Sequence, residues 1–172
     1  TTPPRARSPS TTGSLAASPL VVGIDGRELA GRPTGTGRYL RNLLRHWRDS
    51  GDRLVCYFNG PPARDPVLDH PAIAKRPLGD GRVRGLVWQE RLVASAAAQD
   101  GIDVFFSPAY SCPLSLAAPR VTAVHDLSFF ARPGEFGFTH GLRRRIMARW
   151  SARVSRSVLA FSEFTREEIR RR

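Results

Sequence analysis

Two short clusters hold groups that could do chemistry. The first is Gly35-Thr36-Gly37-Arg38-Tyr39. Its glycines let the backbone approach a ligand closely, and the helix expected to follow offers unpaired N–H groups to an anion or a polar acceptor. It is not the dinucleotide fingerprint, because Leu40 stands where the third glycine is needed and Asn59 stands where an acidic residue would close the second strand. Nor is it a P-loop, since no Gly-Lys-Ser/Thr occurs. The second cluster is His125-Asp126-Leu127-Ser128. An imidazole there can bond a hydroxyl or stabilise developing positive charge, and the adjacent carboxylate can orient hydroxyls. Each cluster also has a plain structural reading, a glycine turn that allows tight packing and a histidine satisfied by its neighbours. His46, His70 and His140 fall on a helix, a proline-rich loop and a helix start, and read as structural. No DxD motif occurs, and Cys56 and Cys112 lack metal or disulfide spacing, so no metal site is expected.

Elements that place both clusters together can be read from the apolar periodicity. Leu20 to Asp25 is a short β-rich run, read as a buried first strand, and the loop Gly31 to Gly37 follows it. Tyr39, Leu40, Leu43, Leu44 and Trp47 then recur at helical spacing, with Arg38, Arg41, Arg45 and Arg48 on other faces. Leu54 to Phe58 is a second strand, and a weaker third is expected around Ile73 to Leu78. A helix over residues 86–99 carries Trp88, Leu92 and Ala96 on one stripe, and Asp103 to Phe106 is a further strand running into the turn Ser107 to Pro113. Arg120 to Val124 ends at His125. A long helix from Thr139 to Ser157 is expected to bury Leu142, Ile146, Trp150 and Val154, and Val158 to Phe161 is the last strand. Thr165 with Glu168 reads as a capping box, with Phe164 and Ile169 as its staple. This alternation predicts an α/β fold, a Rossmann-like parallel sheet with helices on both faces. Ligands of such sheets collect beyond the carboxyl ends of the strands, which puts Gly35 to Gly37 and His125 at one edge.

Composition sets the outer bounds. At 172 residues with 41% apolar content, the chain fits one globular domain. Residues 1–19 are rich in Thr, Ser, Pro and Arg and are expected to be disordered, leaving 20–172 as the folded domain. The absence of a signal-like apolar stretch, and of any run near the roughly 20 apolar residues of a spanning helix, points to the cytoplasm. The net charge of +12 is carried almost wholly by arginine, and residues 139–172 hold ten arginines against three glutamates. Arg145, Arg149, Arg153 and Arg156 share a helical face that is either solvated or suited to an anionic membrane surface or a phosphorylated acceptor. A basic Rossmann-like module for nucleic acid or another polyanion is the alternative function. It is disfavoured because the aromatic residues Tyr39, Trp47, Trp88 and Trp150 fall on stripes expected to be buried, so no nucleic acid is expected as a partner.

Taken in order, Val21-Val22-Gly23-Ile24-Asp25, Gly35-Thr36-Gly37-Arg38-Tyr39-Leu40, Val124-His125-Asp126-Leu127-Ser128-Phe129 with Arg132-Pro133, and Ala160-Phe161-Ser162-Glu163-Phe164-Thr165 resemble glycosyltransferase family 4. The resemblance covers residues 20–172 and implies the N-terminal, acceptor-side domain of a two-domain GT-B enzyme. It implies a retaining, metal-independent transfer with no cofactor, a nucleotide-sugar being the donor substrate. The acceptor would be a polysaccharide, a lipid-linked sugar or a natural product. By the same resemblance His125, with Asp126, faces the transferred sugar, and Gly35, Thr36, Gly37, Arg38 and Tyr39 line the interdomain cleft near the donor. The family's Glu-x7-Glu pattern has no counterpart here, for the residues eight beyond Glu28, Glu90, Glu135 and Glu163 are Thr36, Ala98, Arg143 and Arg171. The expected partners are therefore the acceptor, the nucleotide-sugar and a C-terminal donor domain lying past Arg172, with the inner membrane surface as a further contact. The chain alone is expected to be inactive.

Overall fold

The computed structural model describes residues 18–31, 34–62, 64–83, 85–131 and 138–171. The expectation for the N-terminal segment, and the Arg132-Pro133 pair, lie largely or wholly outside the described residues.

Six parallel strands form one sheet in the order β3-β2-β1-β4-β5-β6. They are β1 (Val21–Asp25), β2 (Arg53–Phe58), β3 (Ile73–Pro77), β4 (Val104–Ser107), β5 (Arg120–Val124) and β6 (Ser157–Ala160). Alternate residues point to opposite faces. On one face Val22, Ile24, Leu54, Cys56, Phe58 and Phe106 pack under Leu40 and Leu44 of α1 (Gly35–Trp47). On the other Val55, Tyr57 and Phe105 pack under Trp88, Val93 and Ala97. Helices thus cover both faces, as the periodicity predicts. Burial pushes the Cys56 thiol up to about 12, so it behaves as a small hydrophobe.

The helix expected over residues 86–99 is three segments in line: α2 (Gly85–Val87), a π-helical stretch (Trp88–Val93) and α3 (Ala94–Gln99). The widened turn brings both Trp88 and its neighbour Gln89 into the buried interior, although Leu86 and Val87 before them are exposed. Trp88 donates its indole N–H to the Leu78 carbonyl at 3.0 Å. Glu90 accepts the backbone N–H groups of Leu114 (2.7 Å) and Ser115 (2.9 Å), fastening the helix to the turn after β4.

Three local expectations are corrected. The first helix begins at Gly35, so Gly35-Thr36-Gly37 form its first turn, and the Thr34 hydroxyl caps it by accepting the Gly37 N–H at 2.9 Å. Helix α5 (Phe138–Val154) turns the other way from the predicted stripe: Leu142, Ile146 and Trp150 are exposed, Trp150 to 53%, whereas Gly141, Met147, Ala148 and Ser151 face inward. The cause is polar. The buried Ser151 hydroxyl accepts the Cys112 N–H at 3.0 Å and Ser155 meets the Thr122 hydroxyl at 2.8 Å, and small side chains at the interface let the helix come close enough to do this. Helix α6 (Glu163–Arg171) is capped by Ser162, whose hydroxyl accepts the Thr165 N–H at 3.1 Å. Thr165 itself is buried and donates to the His125 carbonyl at 3.4 Å, and Phe164, 76% exposed, forms no staple.

Candidate active site

The strand order reverses direction between β1 and β4, and a parallel sheet leaves a crevice beyond the carboxyl ends at that point. Three strand ends converge there: Asp25 to Glu28 after β1, Ser107 to Ser111 after β4, and His125 to Ser128 after β5. Two adjoining cavities occupy the crevice. One, of about 350 Å³, is lined by Thr36, His125, Asp126, Ser128 and Phe129 among others. The other, of about 300 Å³, is lined by Arg27, Gln89, Ser111, Arg143 and Met147 among others. Glu28, Ala109, Tyr110 and Arg144 belong to both walls.

His125 is fixed on three sides. Its ring stacks on Phe161 (centroids 4.1 Å, planes 10° apart) and meets Tyr39 edge-on at 5.2 Å, and Tyr39 in turn stands edge-on to Phe161 at 4.7 Å. Nε2 lies 2.8 Å from the Pro108 carbonyl, which can only accept, so Nε2 carries a proton. In the neutral ring that leaves Nδ1 as an acceptor, with no partner among the described residues. Such a nitrogen can take a substrate hydroxyl proton or oppose a developing positive charge.

Asp126 has a partly local task. Its Oδ1 accepts both the backbone N–H (2.9 Å) and the hydroxyl (2.6 Å) of Ser128, capping α4 (Ser128–Ala131). The hydroxyl first, then the N–H, hold its carboxyl below the usual carboxylate range. Only Oδ2 is left for a ligand.

The glycine cluster divides in its roles. Thr36 lines the cavity with His125, and Tyr39 orders the imidazole. Gly37 serves packing: a Cβ built on it would lie 2.3 Å from the Glu28 carbonyl oxygen, so helix α1 reaches the β1 loop only because that atom is missing. A Cβ on Gly35 would meet nothing within 4 Å. Gly35, Gly37 and Arg38 line neither cavity.

The structure adds a network the motifs did not show. Arg27 grips Asp25 through Nε (2.9 Å to Oδ1) and Nη2 (2.6 Å to Oδ2), and its guanidinium lies 4.7 Å over the Trp88 ring. Burial alone would lower the Arg27 pKa, but the charge and hydrogen bonds of Asp25 outweigh it and the guanidinium is held more firmly protonated. Gln89, carried inward by the π-helical turn, donates to Asp25 at 3.2 Å and to the Ser111 carbonyl at 3.3 Å, tying β1 to the β4 turn across the crevice floor. Asp25 closing a strand two residues before an arginine was a visible signal. Gln89 gave none, because its direction depends on the π-helical turn.

A family model, Glycosyltransferase Family 4, matches residues 33–172. The chain belongs to glycosyltransferase family 4. Among solved structures, HepE of Anabaena, crystallised with UDP and glucose, superposes with a TM-score of 0.58 at 18% identity, over 88% of this chain and 40% of HepE. At that identity the likeness speaks for the fold, and it agrees with the Rossmann-like sheet. No curated protein sequence matches. Within this fold His125 and Thr36 line one cavity, and Tyr39 touches the imidazole from the side.

Proposed function

We propose that this family 4 chain is the acceptor-side half of a sugar-nucleotide glycosyltransferase, completed by a donor-binding domain that closes over the crevice. One observation carries the reading: a packed and oriented His125, its Nδ1 without a partner among the described residues, lines a cavity at the switch point of the sheet, alongside Thr36 and Asp126. The chain spans 40% of HepE, which leaves room for a second domain of the kind that GT-B chemistry requires. HepE was crystallised with UDP and glucose, and a UDP-linked hexose is accordingly the donor to try first. Transfer is retaining and metal-independent in this reading, with the Asp126 carboxylate orienting acceptor hydroxyls through Oδ2. The acceptor is a polysaccharide, lipid-linked or natural-product sugar.

A peripheral contact with an anionic membrane, at the cytoplasmic face, is part of the same proposal. Leu142, Ile146 and Trp150 form an outward apolar stripe on a helix whose described residues include five arginines and no acidic side chain. No helix among the described residues is long and apolar enough to cross a membrane.

The test uses the full-length protein with His125→Phe, which keeps the stacking on Phe161 and removes Nδ1. Transfer should fall by about a hundredfold or more, the usual contribution of a positioned acid–base group, with melting close to wild type. Transfer near the wild-type rate would overturn the assignment of His125.

A further inference from the structure

The cavity beside the His125 site has a charge pattern that a neutral sugar does not require. Arg27 is already immobilised: Asp25 holds Nε and Nη2, Trp88 lies under the plane, and Nη1 is left with no partner among the described residues. The facing wall is glycine, for a Cβ on Gly85 would sit 2.8 Å from that Nη1. Two more guanidinium groups, Arg143 and Arg144, line the same cavity from α5. Arg143 makes no ion pair or hydrogen bond among the described residues. Arg144 acts on Asp126 from the neighbouring cavity. Among the described residues the lining holds one carboxylate, Glu28, which accepts the Thr34 hydroxyl at 3.1 Å, while Asp25 stands against Arg27 and Asp126 against Arg144. Arg27 Nη1 and the Arg143 guanidinium are thus left without a partner among the described residues, beside a space of about 300 Å³, large enough for a monosaccharide-sized group. Ser111 and Tyr110 add hydroxyls to the wall.

We propose that this cavity is a subsite for an anionic substituent of the acceptor, a phosphate or a sugar carboxylate, gripped by Arg27 and Arg143 next to the hydroxyl that reacts at His125. The assignment rests on the glycosyltransferase reading for the word acceptor, while the anion site itself does not depend on it. Arg27 contributes a donor whose orientation is fixed before binding, so little ordering entropy is lost there, and charge-assisted hydrogen bonds to an oxyanion are the strong kind. The site would thereby select charged acceptors over neutral ones.

Binding is measured by calorimetry and by amide chemical shifts, with glucose 6-phosphate, glucuronate, glucose and UDP as probes. One of the two charged sugars should bind at least about tenfold more tightly than glucose, with affinity falling as salt rises, and which one does so distinguishes phosphate from carboxylate. Arg143→Gln, on an exposed residue, and Arg27→Gln should each weaken it by about tenfold or more. Arg166→Gln, on α6 outside both cavity linings and paired with Glu163, should change nothing. Equal affinity for glucose, equal weakening by Arg166→Gln, or an unchanged Kd in Arg143→Gln would overturn the subsite. Displacement of the charged sugar by UDP would overturn its assignment to the acceptor. Turnover separates the two proposals: a transferase that uses neutral acceptors undiminished by Arg143→Gln removes the subsite and leaves the function, whereas anion binding in a protein that transfers nothing does the reverse.

Discussion

The β1–β2 centre of the sheet with α1, and the β6 edge with α5, are built by different rules. In β1 and β2 every residue past the first is buried, and α1 sets Leu40 and Leu44 into the sheet at the spacing its sequence prescribes. At the edge, β6 alternates between exposed and half-buried positions, and α5 keeps Leu142, Ile146 and Trp150 outside while Met147 turns inward. The first region is oriented by hydrophobic burial. The second is oriented by hydrogen bonds, Ser151 to Cys112 and Ser155 to Thr122, and its remaining apolar surface is left for something other than this core. The crevice lies on the seam, with stiff walls from β1 and polar walls from β5 and α5.

The sharpest way to break this contrast is a pair of tryptophans. Trp88→Ala removes a fully buried ring, an indole hydrogen bond and the surface under Arg27, and should lower unfolding free energy by about 3–5 kcal/mol in urea titrations. Trp150→Ala should stay within about 0.5 kcal/mol and instead reduce sedimentation with anionic liposomes. A large stability loss at Trp150 would mean that α5 is held by its apolar face after all.

Glycine substitutions sharpen the same boundary at a smaller scale. Gly37→Ala should destabilise by about 1–3 kcal/mol, against the usual gain of an alanine in a helix, because the added methyl collides with the Glu28 carbonyl. Gly35→Ala, with open space around it, should stabilise by about 0.4–1 kcal/mol in the same thermal melts. Identical signs would show that the α1 contact is softer than its geometry.

The smallest effect belongs to the cap on the polar side. Asp126→Ala should cost about 0.5–1 kcal/mol, the ordinary worth of a capping side chain. The Asp126 pKa is depressed in the folded protein, so its stabilisation is present above the unfolded value of about 3.9 and is lost as pH falls through the folded value. The wild-type and variant melting curves should accordingly differ at neutral pH and approach each other below about pH 4. A gap that persists in acid would show that the charge of Asp126 is not what caps α4.

Where burial set the structure, the sequence was readable. Strand positions, α1 and the placing of Thr36 and His125 at one cavity follow from apolar spacing and from the geometry of parallel sheets. The same reasoning failed at Leu142, Ile146 and Trp150, because a periodic stripe states that a face is apolar and not what it faces. It also passed over Arg27 and Gln89. Their roles depend on a salt bridge two residues long and on a widened helical turn, and neither has a period. The stacking of His125 was not legible either, since the two aromatic rings that hold it, Tyr39 and Phe161, come from distant parts of the chain.

The position of β1 in the sheet bears on how the molecule is made. Of the six described strands β1 is synthesised before the others yet sits inside the sheet, pairing with β2 on one side and β4 on the other. As the chain leaves the ribosome, β1, β2 and β3 can assemble with α1 while one flank of β1 stays open, awaiting strands still to be translated. The flank that stays open is the one where the crevice forms. Core and crevice are thus separated in time as well as in space, and a nascent chain arrested before β4 docks would already possess the first hydrophobic layer while having no binding floor at all.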